Sequence, residues 1–197
     1  MRRQIAVQSG VSDIFQRRAR GCRVLRKISL PIAPRCVKMC DMKGNEQVIE
    51  HLNRALREEL AAINQYFIHA EMYENWHYDR LAKFIKKQSI GEMKHAEKLI
   101  ERILFLDGTP HMEPMAITIG NNAKSMLQID LDSELQAIAL YNESVQVATA
   151  NKDNGSRDLF VTLLKDEEEH ADWLEAQLHQ IEEIGYERYL VTQASEG

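Results

Sequence analysis

One arrangement occurs twice in this chain. Glu59 precedes Glu92, which opens a Glu-x-x-His motif with His95. At the same separation, Glu134 precedes Glu167, which opens another with His170. Each of the six falls where helical periodicity demands an apolar residue. In Leu52-Ala55-Glu59-Ile63-Tyr66 and in Leu127-Leu131-Glu134-Ile138, a carboxylate interrupts an otherwise apolar stripe. A lone buried carboxylate is costly unless it is paired or bound to a metal. A chain that buries four of them and two imidazoles must therefore bring them together.

The surrounding pattern predicts an all-α fold. Apolar residues recur at helical spacing from Val48 to Tyr73 and from Leu81 to Leu106, blurring at "ENWHYD". Gly and Pro break the pattern in "DGTPHMEPMAITIGNN". A third helix is expected from about Ala123, a turn with capping residues at "NKDNGS", and a fourth helix ending near Gly185. A short helix from about Glu187 follows. Proline is confined to Pro31, Pro34, Pro110 and Pro114, which leaves long stretches free for helix.

Folding each pair of helices about turns near His77 and Asn151 puts every ligand-type residue ~25 Å from its turn, at ~1.5 Å rise per residue. All six then meet at one depth. The irregular segment between the second and third helices is about 16 residues and spans ~50 Å at ~3.3 Å each. The expected architecture is thus a four-helix bundle with one long crossover and a short C-terminal fifth helix.

Charge and cysteine set the segment 1–41 apart. It holds ten Lys/Arg, eight of them Arg, against Asp13 and Asp41, and all three cysteines (Cys22, Cys36 and Cys40). The rest of the chain carries 15 of the 25 Lys/Arg and 28 of the 30 Asp/Glu, a formal net charge of about −13. The segment reads either as an Arg-rich targeting peptide or as an extension translated from a start upstream of Met42. The second reading is preferred, with disorder expected, because the apolar stretch of a secretory signal is absent. Residues 42–197 form the expected bundle domain. Its lack of cysteine excludes disulfides and thiolate metal sites and fits a reducing cytosol. No apolar run approaches the ~20 residues that span a bilayer, and neither membrane nor nucleic acid is an expected partner.

Four carboxylates and two imidazoles suit two divalent ions, iron or manganese being the usual occupants. A Glu from each of two helices plus Glu-x-x-His from the other two matches the known pattern of ferritin-like di-iron bundles. At this composition a single Glu-x-x-His arises by chance roughly once in one or two such chains. Glu74-x-x-His77, at a helix end without matched carboxylates, is one such accident, and "DEEEH" alone could be a solvated acidic face. Two motifs with carboxylates matched at one spacing are far harder to obtain by chance. Met93, next to Glu92, projects about 100° from the metal face. An ordinary helix–helix contact is its bland reading, although thioether is also a haem ligand.

From Met42 onward the chain resembles bacterioferritin, most clearly in "MKGNEQVIEHLNRALREELAAINQYF", "GEMKHAEKLIERILFLDGTP" and "DEEEHADWLE". The resemblance implies a ferritin-like bundle assembling into a hollow shell of 24 subunits that oxidises Fe²⁺ with O₂ or H₂O₂ and stores ferric mineral. It implies that Glu59, Glu92, His95, Glu134, Glu167 and His170 are the ferroxidase ligands, with Glu92 and Glu167 bridging two irons, and that Tyr66 is a supporting phenol. It further implies that Met93 from each of two subunits ligates haem b, in a pocket lined by Leu60, Ile63, Asn64 and Phe67, and that a small ferredoxin supplies electrons. The chain departs from the family where some members carry a His and an Asp that bind iron on the inner shell surface. Lys87 and Gly91 stand there instead. Iron would then enter the core through the ferroxidase site, and His170 becomes the ligand expected to swing aside. The competing readings are a rubrerythrin-like di-iron peroxidase, which would usually carry a Cys-x-x-Cys pair, and a non-catalytic assembly or haem carrier.

Overall fold

The structure, a computed structural model, describes residues 43–194. The extension expected over residues 1–41 lies outside the described residues. The described residues form five helices: α1 (Glu46–Asn75), α2 (Asp79–Phe105), α3 (Ala123–Ala150), α4 (Asn154–Ile184) and α5 (Tyr186–Gln193). None of them is long and apolar enough to cross a membrane.

Side chains placed at the helix starts fix their boundaries. Asn45 accepts the Gln47 N–H at 2.8 Å to begin α1. Asn122 and Ser125 form a reciprocal capping box at the start of α3, with the Ser125 N–H donating to Asn122 Oδ1 at 2.9 Å and the Asn122 N–H to Ser125 Oγ at 3.2 Å. Asp153 accepts the Ser156 N–H at 3.0 Å to begin α4.

The repeat seen in the ligand spacing extends to the turns. Trp76, His77 and Tyr78 donate to the carbonyls of Met72, Glu74 and Tyr73 at 3.1, 3.0 and 2.9 Å. Asn151, Lys152 and Asp153 donate to those of Val147, Thr149 and Ala148 at the same three distances. His77 and Lys152 both lie in the left-handed region, at φ 60° and 59°. The two hairpins are copies of one backbone design, related by the same offset that takes Glu59 to Glu134. Neither turn uses the glycine that this conformation favours.

The core falls into two apolar halves. One holds Leu52, Leu56, Leu99, Ile103, Tyr141 and Phe160. The other holds Tyr73, Leu81, Ile85, Leu127, Leu174 and Tyr189. Along α1 and α4 the chain passes from the first half to the second, and along α2 and α3 from the second to the first. Each of α1/α2 and α3/α4 is therefore an antiparallel hairpin. The crossover between Phe105 and Ala123 carries the chain back along the bundle. The six ligand-type residues lie between the two halves. α5 packs beside the second half through buried Tyr189, whose hydroxyl donates to Gln177 Oε1 at 3.1 Å.

A candidate di-metal centre between the core halves

All four helices of the bundle contribute to one buried cluster. Glu59, Glu92, Glu134 and Glu167 are 3, 1, 4 and 2% exposed, and His95 is 5% exposed. His170 is somewhat more open. The His95 Nδ1 lies 2.8 Å from Glu92 Oε2, 3.1 Å from Glu167 Oε1 and 3.5 Å from Glu59 Oε2. The His170 Nδ1 lies 3.1 Å from Glu167 Oε2, 3.2 Å from Glu92 Oε1 and 3.6 Å from Glu134 Oε1. The two rings are nearly parallel, at 16° with centroids 6.2 Å apart. Two overlapping groups result, Glu59-Glu92-His95-Glu167 and Glu92-Glu134-Glu167-His170, each with ligand atoms within 4.8 Å of one another. Glu92 and Glu167 belong to both.

This geometry suits cations better than protons. One imidazole N–H cannot serve three carboxylates at once. Indeed both oxygens of Glu92, Oε1 of Glu167 and the Nδ1 atoms of both histidines are buried without a hydrogen-bond partner of acceptable geometry. Such orphans are rare in folded proteins, and a bound cation is one arrangement that satisfies all of them together. Two divalent cations balance four carboxylates while leaving both imidazoles neutral, so the donor set fits the pair.

Burial works against charge at each of these groups. It raises Glu59 well above the ordinary carboxylate range and Glu134 to about 8. At Glu92 burial is outweighed by the close imidazoles of His170 and His95, which hold it at about 2, and Glu167 is lowered in the same way. Burial opposes the imidazolium too, but the facing carboxylates raise His170 to about 12 and move His95 in the same direction.

Two buried phenols complete the cluster. Tyr66 on α1 donates to Glu134 on α3, across the bundle from the Glu59 of its own helix. Tyr141 on α3 donates in turn to Glu59. Burial raises both phenols well above 10, so they act as donors. Tyr141 escaped the sequence reading. Its signal was the same repeat, because Tyr66 follows Glu59 at the interval by which Tyr141 follows Glu134. A cavity of about 320 Å³ runs from Glu92 and Glu167 outward between α1 and α3, past Glu58 and Asp132, beneath Met115–Thr118 of the crossover.

The remaining candidates sort by face. Met93 is 48% exposed while Glu92 is buried, as their 100° separation requires. Exposed Asn64 and Phe67 and half-buried Leu60 and Ile63 lie on α1, which packs beside α2. Phe67, Ile90 and Met93 are large apolar side chains left half in solvent. The Asn64 amide donates to Leu60 O within its own helix, at 2.6 Å. Lys87 is exposed and Gly91 half-buried. His77 sits exposed in its turn and Glu74 approaches Lys86 at 3.6 Å, so that third Glu-x-x-His joins no cluster.

A bundle of this topology, with paired Glu-x-x-His motifs facing paired carboxylates, defines the ferritin-like class, and the family model described as the ferritin-like domain matches residues 49–184. The chain is 47% identical to the bacterioferritin of Brucella melitensis over 149 residues, covering 75% of this chain and 92% of that one. It is 46% identical to the bacterial ferritin of Synechocystis sp. over 156 residues, 78% of this chain and 100% of that one. Against the bacterioferritin of Streptomyces coelicolor it is 42% identical over 152 residues, 77% and 91% of the two chains. The chain belongs to the bacterioferritins of the ferritin-like family. That membership supports a role in iron storage.

Proposed function

We propose that this protein is an iron-storage ferroxidase whose catalytic centre is the six-residue cluster, with Glu92 and Glu167 bridging two iron ions. Glu59 and His95 would complete one subsite, and Glu134 and His170 the other. The observation that carries the reading is the pair of overlapping four-residue groups, with its orphaned buried atoms at the shared glutamates.

Fe²⁺ is the substrate. Two ferrous ions held together can give two electrons to one oxidant, taking O₂ to H₂O₂ or H₂O₂ to two waters with two protons consumed. The protein's part is to hold, orient and shield. Four carboxylates offset the charge of the entering cations and favour the ferric product. Tyr66 and Tyr141 fix the outer glutamates by donating to them. The apolar halves on either side limit water and keep the ligands from turning away. Glu58 and Asp132, beside the cavity, give cations an acidic approach.

The exposed thioether of Met93 would ligate haem b jointly with that of a second subunit, over a face including Leu60, Ile63, Asn64 and Phe67. Such a group would supply one-electron chemistry at the subunit interface, with a small ferredoxin-type protein as the reductant. A shell of 24 subunits would enclose the mineral.

Sizing the purified protein and measuring iron per chain after aerobic Fe²⁺ loading tests the reading. A large assembly holding iron far above two per chain is expected. Saturation at two irons per chain, with peroxide turnover, would favour a di-iron peroxidase.

A further inference from the structure

The two halves of the cluster are not supported alike. His95 is held at the nitrogen that points away from the cluster: its Nδ1 faces the glutamates, and its Nε2 lies 3.1 Å from Asp166 Oδ2. His170 presents its Nδ1 to the glutamates in the same way. Its Nε2 has no protein partner among the described residues. The side chains are 6% and 16% exposed, respectively.

The internal repeat explains the difference. The offset that relates Glu59 to Glu134, Tyr66 to Tyr141 and His95 to His170 also relates Gly91 to Asp166. Asp166 on α4 reaches across to His95 on α2. The equivalent reach from α2 to His170 on α4 would start at Gly91, and glycine has no side chain to make it. Nothing packs there in its place, for a Cβ added at Gly91 would meet no atom within 4 Å beyond its chain neighbours and its own helix backbone.

We infer that Asp166 is a positioning residue for His95, and that Gly91 leaves His170 unanchored, so that the two metal subsites are built with unequal affinity. This rests on the di-metal reading above. Donation from Nε2–H to a carboxylate sets the imidazole tautomer, leaves Nδ1 free to bind a cation and makes it more basic. Loss of such a partner typically costs ~10–100-fold in metal affinity. The subsite of Glu59 and His95 should fill first. The subsite of Glu134 and His170 should fill second and empty first, because its imidazole can rotate away without breaking another bond.

The test is a Co²⁺ titration of the full-length, iron-free assembly, followed by calorimetry and by the visible d–d bands of bound cobalt. The unaltered protein should bind two Co²⁺ per chain in steps separated by at least ~10-fold. Asp166→Ala should weaken the first step by ~10-fold or more, and Asp166→Asn, which keeps an oxygen acceptor, should restore part of it. Gly91→Asp should tighten the second step by ~10-fold and change its band pattern, while Gly91→Ala, which adds only the Cβ, should not. Equal steps in the unaltered protein, or identical behaviour of Gly91→Asp and Gly91→Ala, would overturn the inference and leave the di-metal reading intact. Fewer than two cobalt ions with d–d bands that depend on Glu92 would overturn both.

Discussion

Tyr66 donates its phenol hydrogen bond to Glu134 on the other hairpin, while Tyr141 returns the same bond to Glu59. The exchange ties α1 to α3, the helices that hold the two outer carboxylates, at the level of the cluster. Tyr141→Phe should therefore lower the stability of the metal-free protein by ~1–3 kcal/mol, since Glu59 is left buried without its donor. Tyr66→Phe should do the same through Glu134. Chemical denaturation of each variant checks this, and stability equal to the parent in both would show that the bonds contribute nothing.

The same bonds determine which substitution tests the proposed ligand role of Glu59. Glu59→Ala would remove the acceptor of Tyr141 along with the ligand. Glu59→Gln keeps an oxygen for the phenol and removes only the charge. It should assemble and unfold like the parent while initial Fe²⁺ oxidation falls by at least ~10-fold. Stopped-flow oxidation kinetics at matched protein concentration give the answer. An unchanged initial rate would remove Glu59 from the centre.

Met93→Leu roughly conserves volume at a half-exposed position and deletes the thioether. Haem absorbance should be lost after purification, with Fe²⁺ oxidation retained and reductive release of stored iron slowed. A parent-like haem spectrum in this variant would contradict the axial-ligand assignment.

The second hairpin supplies a prediction on pH. Burial opposes the charge of Asp153, but the N–H and hydroxyl of Ser156 and the guanidinium of Arg102 hold its carboxyl below the ordinary 3.8. A depressed carboxyl stabilises the fold fully above its unfolded value, and that contribution disappears as pH falls through the lower folded value. Asp153→Ala should thus cost ~1 kcal/mol near neutral pH, as lost caps do. The gap from the parent should close below pH 3.8. Denaturation curves at neutral and acid pH check it, and a gap independent of pH would refute it.

The sequence carried the bundle, the crossover and all six cluster residues because each charge stood on a stripe that had to be apolar. What it hid had a physical reason in each case. Tyr141 occupies a core position where a tyrosine needs no explanation until its partner is seen. Asp166 lies inside "DEEEH", and nothing in an acidic run distinguishes the member that crosses to His95 from Glu168 and Glu169, which face solvent. The left-handed residues of the turns, His77 and Lys152, are not of the type that announces such backbone. Gly91 acquires meaning only when α2 is laid on α4 through the repeat.

The central claim is that Glu92 and Glu167 join two metal subsites. Crystals of the assembled protein loaded with Fe²⁺ and measured at the iron absorption edge test it most directly. Two anomalous peaks per chain are predicted between these glutamates, one beside Glu59 and His95 and the other beside Glu134 and His170. A single peak that touches neither shared glutamate, or iron found only on the outer acidic surface, would contradict it.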